Sequence, residues 1–343
     1  MGEQTPNSRQ EILALLGGQR LARRPAFSGL ISLTLEGLEA DGLALSGIYH
    51  DAGKLARAAA STPKLTGLES AVLPGDLCVE AEALGATVDF RADETPPGLP
   101  RLAQAVAESP GEFRVAAGEP VKGRGRLPVV GEALRRLREE VGQDVAIGAF
   151  IPGPLTLAMH VVDIGPLLLA VAEAPETVAE LLDRLNPVLA EVGQFYRDCG
   201  ADFLTVHEMG GSPGFIGPRA FETILLPRLQ VLLRELPGPR VLSVCGRTNR
   251  GIALLVQAGA EALSVDQTND LAQSRAALGS GPLLFGNLDP VGVLAEGDEA
   301  AVRAAAEGAM AAGADALWPG CDLWPATPLG NLRALAEAGR LVR

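Results

Sequence analysis

From about residue 144 to the C-terminus, short β-like runs alternate with longer Ala- and Leu-rich stretches of helical character, the pattern of repeated βα units. Six runs stand out: 144–150 (DVAIGAF), 201–208 (ADFLTVHE), 240–246 (RVLSVCG), 261–267 (EALSVDQ), 282–288 (PLLFGNL) and 314–320 (ADALWPG). Each is bounded by Gly, Pro or polar residues. Helix candidates such as PETVAELLDRLNPVLAEVGQFYRDCG and DEAAVRAAAEGAMAAGA fill the gaps. Upstream, 70–75 (SAVLPG) and 86–90 (ATVDF) are read as two further strands, so the pattern predicts an α/β chain folded as a (β/α)8 TIM barrel. Residues 1–60, helix-like near 8–24 and 51–60, are expected to form an N-terminal helical cap or extension. Residues 61–343 are assigned to the barrel, with 91–143, rich in Pro, Gly and charge, as a loop insertion at its mouth.

A chain of 343 residues suits one such barrel. Its net charge of −13 lacks the basic surface that a phosphate backbone requires, so nucleic acid is not expected as a partner. The N-terminal stretch is polar where a signal peptide needs an apolar core, and no later apolar run reaches spanning length, so no membrane partner and a cytoplasmic location are expected. Four cysteines are too sparse for a disulfide framework.

Active sites of these barrels lie at the C-terminal ends of the strands, which gives weight to polar residues that close successive runs. Here these are His207 and Glu208, Ser243 and Cys245, Asp266 and Gln267, Asn287 and Asp289, and Cys321 and Asp322. Cys245 and Cys321 would close different strands of one barrel, which brings both sulfurs to the same mouth. Thiolates are soft ligands suited to zinc, and catalytic zinc takes three protein ligands and leaves a position open. Asp266 is a candidate third ligand, His207 or Glu208 could complete the shell, and Ser243 is a weaker oxygen donor. His207, Glu208 and Asp266 are also the candidate catalytic groups. The competing reading makes both cysteines small buried hydrophobes, the common fate of an isolated thiol. Asn287 and Asp289 could contact a cofactor or fix a strand-end turn, since Asn, Asp and Pro all favour turns. His50, His160, Glu80, Glu82, Cys78 and Cys199 are read as structural.

The stretch WPGCDLWPATPLGNLRALAEAGR (318–340), with VCGRTN (244–249), LSVDQTNDL (263–271) and LFGNLDPVGVL (284–294), resembles the uroporphyrinogen decarboxylase superfamily, and particularly its zinc-dependent corrinoid methyltransferase branch. Segments 77–90, 147–158 and 212–229 agree, so the likeness runs from about residue 47 to the end. The resemblance implies a TIM barrel, a zinc ion, and a methyl group moved between a corrinoid carried by a separate protein and a small-molecule donor or acceptor. In the thiol-methylating members a His-x-Cys pair and a distant Cys in a PGCD-like motif hold zinc, sometimes with an acidic residue. Cys245, Cys321 and Asp266 match those positions, whereas Ser243 stands where the family has histidine. His207 is the first choice to replace the missing imidazole. The alternatives are a corrinoid- or tetrapyrrole-binding protein without turnover and a porphyrinogen decarboxylase. The latter's arginine-rich N-terminal motif has no convincing counterpart here.

Overall fold

The structure, a computed structural model, describes residues 6–341. Among the described residues, seven strands form one parallel sheet in the order β1 (Ser70–Leu73), β4 (Ala146–Pro152), β5 (Phe203–Glu208), β6 (Arg240–Val244), β7 (Ala262–Val265), β8 (Leu283–Leu288) and β9 (Ala316–Pro319). The six downstream runs read from the sequence are β4 to β9. Both faces of a parallel barrel strand are covered, which explains why β4 reads as an unbroken apolar run and is buried at all its positions.

The two edges of the sheet are joined by an extended N-terminal segment. Phe27 N donates to Leu317 O and Leu317 N to Pro25 O on the β9 side. On the β1 side Glu69 N donates to Ala26 O, and Ser28 N donates to Ser70 Oγ at 2.8 Å. Residues 25–28 therefore occupy the eighth position of the ring, between β9 and β1. Gly29 follows inside the barrel, where a Cβ would lie 2.2 Å from Thr205 Oγ1 and 2.7 Å from the Trp318 ring. Only glycine lets the backbone pass there.

The run at 86–90 does not take the eighth place. Thr87–Asp89 (β2) pairs antiparallel with Arg101–Gln104 (β3) in a separate two-stranded sheet. Thr87 is exposed and Val88 and Asp89 are only half-buried, whereas a barrel strand needs apolar cover on both faces. The insertion is also shorter than the composition suggests. Helix Leu127–Val141 lies within 91–143, yet it packs on helix Ala52–Thr66 and on β1 and β4 as part of the barrel wall.

Alternation along the strands separates two cores. Odd-numbered Phe203, Val241 and Phe285, with Ala146, Ala262, Ala316 and Trp318, face the barrel axis. Leu204, Val206, Leu242, Val244, Leu263 and Leu284 face the surrounding helices. Phe27, Phe285 and Trp318 interlock at centroid distances of 4.9 to 5.3 Å and close the barrel below its mouth. No helix among the described residues is long and apolar enough to cross a membrane.

Candidate metal centre

The parity that directs Phe203 inward carries Thr205 and His207 inward too, and on β6 it carries Val241, Ser243 and the following Cys245. Cys321 arrives from the turn after β9. His207, Cys245 and Cys321 each offer a ligand atom, and these atoms all lie within 4.8 Å of one another. The two sulfurs are 2.7 Å apart, and His207 Nε2 is 3.9 Å from Cys321 Sγ. Tetrahedral zinc, with Zn–S near 2.3 Å and Zn–N near 2.0 Å, sets its donors roughly 3.5–3.8 Å apart. The His207–Cys321 separation is close to that spacing, and the sulfurs need to part by about 1 Å. The donor set of one imidazole and two thiols is that of a soft, zinc-type site with room for a further ligand.

Local electrostatics favour charge separation in this cluster. Burial works against a charged His207, but the Asp322 carboxylate, 3.3 Å from Nε2, and the neighbouring Cys321 sulfur outweigh it and push the imidazole up to about 10. The hydrogen bond from Cys245 is the main cause that lowers Cys321 to about 6, with His207 adding to it against burial. Cys245 is raised by that shared proton and by burial. These influences favour the thiolate at Cys321 over Cys245. Asp322 is itself held by Ile31 N, which donates to Oδ1 at 2.9 Å, so the barrel-closing segment also fixes the edge of the site.

Asp266 is close by, but its oxygens are already engaged. It accepts from Gly246 N, from Thr268 N at 2.9 Å and from Asn269 Nδ2 at 3.0 Å, and it lies outside the His-Cys-Cys group. Those bonds clamp the loop after Cys245 to the loop after β7. Asn269 completes the clamp by accepting from Thr248 N and Asn249 N and donating to Gly246 O. Asn269 is not among the strand-end candidates of the sequence, although the runs RTN and TND, rich in turn-forming side chains, are the signal for such a pairing.

Glu208 points away from the cluster, as strand alternation demands of the residue after His207. It is fully buried and accepts from Leu155 N and Thr156 N, both at 3.0 Å, and from Thr156 Oγ1 at 2.6 Å. It caps the N-terminus of helix Pro154–Val161 from a neighbouring strand, a task expected of a carboxylate at that end of the dipole. Burial raises it to about 7 against those donors. Asn287 donates to Asp266 O and Asn269 O, and Asp289 accepts from Val291 N and Gly292 N, capping the turn after β8. Asn287 thus ties the end of β8 to the loop after β7, and Asp289 holds its own turn. Other buried polar groups gather around Asp76, whose carboxylate pairs with Arg126 at 2.7 Å.

The chain is 28% identical to methylcobamide:CoM methyltransferase MtaA of Methanosarcina barkeri over 331 residues, 95% of this chain and 96% of that protein. It is 28% identical to methylcobamide:CoM methyltransferase MtbA of Methanosarcina acetivorans over 349 residues, 99% of each. A solved structure described as a methyltransferase from Methanosarcina mazei superposes with a TM-score of 0.91 at 27% identity, covering 97% of this chain and 98% of that one. The family model for uroporphyrinogen decarboxylase (URO-D) matches residues 7–341, and the chain belongs to that family.

Proposed function

We propose that this protein is a zinc-dependent methyltransferase that moves a methyl group between a corrinoid carried by a separate protein and a small thiol or methylated compound. The observation that carries the reading is the convergence of His207, Cys245 and Cys321 within 4.8 Å at the barrel mouth. The similarity to methylcobamide:CoM methyltransferases along nearly the whole chain supports it. When bound, zinc would supply Lewis acidity that holds a substrate thiol as its nucleophilic thiolate at neutral pH.

In this reading His207, Cys245 and Cys321 are the ligands. Two protein sulfurs make the centre electron-rich, which suits nucleophilic attack on a methyl group better than strong electrophilic activation. Asp266 and Asn269 act one step removed, holding the backbone that carries Cys245. Asp322 sets a carboxylate beside His207 Nε2.

The test is zinc content together with methyl transfer from methylcobalamin to coenzyme M. Protein purified without added metal is expected to hold about one zinc per chain. The Cys245→Ser/Cys321→Ser variant should lose both metal and transfer. A metal-free parent protein, or a porphyrinogen decarboxylase activity indifferent to both substitutions, would overturn the proposal.

A further inference from the structure

Below the metal centre, the barrel interior holds polar atoms that the ligand role leaves unused. Thr205 Oγ1, Ser243 Oγ, Ser264 Oγ, Trp318 Nε1 and His207 Nδ1 are buried and have no hydrogen-bond partner among the described residues. None of the five residues is more than 1% exposed. Their grouping follows from the sheet. The parallel register sets His207 beside Ser243 and Ser243 beside Ser264, and paired residues project to one face. Thr205 lies two residues below His207 on that face. A Cβ on Gly29 would touch both Thr205 Oγ1 and Trp318 Cη2, so the Trp318 ring that carries Nε1 packs beside Thr205.

One interior hydroxyl is paired within the protein. Ser70 donates to Ser28 O at 2.6 Å and accepts from Ser28 N. Such layers are ordinarily filled by bulky branched side chains. Serines on β6 and β7 instead put short hydroxyl side chains there. Buried waters typically satisfy such groups through about three hydrogen bonds each.

We infer that these side chains enclose a buried water site, and that Thr205, Ser243 and Ser264 act through that water as positioning residues for His207. The indole N–H of Trp318 can only donate, the hydroxyls both donate and accept, and Nδ1–H of a metal-bound imidazole donates. Water accepting from Nδ1–H fixes the tautomer whose Nε2 lone pair faces the sulfurs, the usual arrangement around a ligating histidine. The positioning role rests on the zinc reading, whereas the water site does not.

The test compares Thr205→Val, isosteric but without the hydroxyl, with Thr205→Ser and Ser264→Ala. Thermal melting of the chelator-treated chain, zinc affinity by chelator competition and the visible spectrum of the cobalt(II)-loaded protein are measured for each. Thr205→Val and Ser264→Ala are expected to lower the melting temperature, weaken zinc about 10- to 100-fold and shift the cobalt bands, with Thr205→Ser close to the parent. Melting temperatures that stay level or rise would show the hydroxyls to be unsolvated and overturn the water site. A lower melting temperature with unchanged zinc affinity and cobalt spectrum would overturn the positioning role. A parent chain that binds no zinc would remove the zinc reading and the positioning role together, with melting still deciding on the water.

Discussion

Replacing Glu208 with alanine separates a structural role from a chemical one. Three donors end on its carboxylate, the N–H groups of Leu155 and Thr156 and the Thr156 hydroxyl, all in a fully buried setting. Thr156 Oγ1 also accepts from Met209 N at 2.8 Å, so the hydroxyl links the cap to the loop that leaves β5. Each stranded donor costs about 1–3 kcal/mol, and the hydroxyl can partly recover by rotation, so Glu208→Ala should destabilise the chain by about 3–5 kcal/mol. For a chain of this size that is a fall in Tm of about 4–7 °C. Glu208→Gln keeps one good acceptor and should lose roughly half as much. Calorimetry gives the melting shift, and zinc content is measured on the same samples well below the transition. Both variants should retain their metal, since no Glu208 oxygen belongs to the ligand group. An alanine variant that melts within about 1 °C of the parent, yet loses metal or methyl transfer, would refute the capping argument and return Glu208 to the chemistry.

Gly29→Ala would set a methyl 2.2 Å from Thr205 Oγ1 and 2.8 Å from the Phe203 ring, and should cost about 1–3 kcal/mol in urea unfolding. Gly308→Ala, in helix Glu299–Ala311 with nothing within 4 Å of its Cβ position, should be neutral or slightly stabilising; equal losses at the two sites would contradict the eighth-position role of the N-terminal segment. Burial pushes the Glu80 carboxyl up to about 8 from its ordinary 4.5. Between those values the folded chain keeps a proton that the unfolded chain has released, so this contribution weakens stability as pH rises from about 4.5 to 8. Glu80→Gln should therefore melt with the parent near pH 5 and above it past pH 8, and parallel pH profiles would sink the idea. His207→Ser should abolish zinc binding. Adding Ser243→His should restore it, because the two positions are paired across β5 and β6, and failure of the double variant to recover metal would show that reach from β6 is insufficient.

Much of this protein could be read from local pattern. Apolar runs a few residues long, spaced by amphipathic helices, place six parallel strands because covered strands carry no polar face, and the strand ends carry Cys245, Cys321 and His207. Where local pattern failed, the deciding contact was remote. ATVDF has strand-like composition, yet its exposure ties it to Arg101–Gln104 and not to the barrel. The apolar run PAFSGL resembles any buried linker until its hydrogen bonds to β9 and to β1 and the residue preceding it show it closing the ring. Alternation alone establishes that His207 and Glu208 face opposite ways. Only the packed sheet decides which of them looks inward, because that choice depends on which face meets the aromatic floor of Phe27, Phe285 and Trp318 and which meets the helices. Asp266 shows the same division. Its position at a strand end was legible, but its capture by Gly246, Thr268 and Asn269 arises from two loops meeting across the mouth, a contact between distant segments that no local propensity encodes.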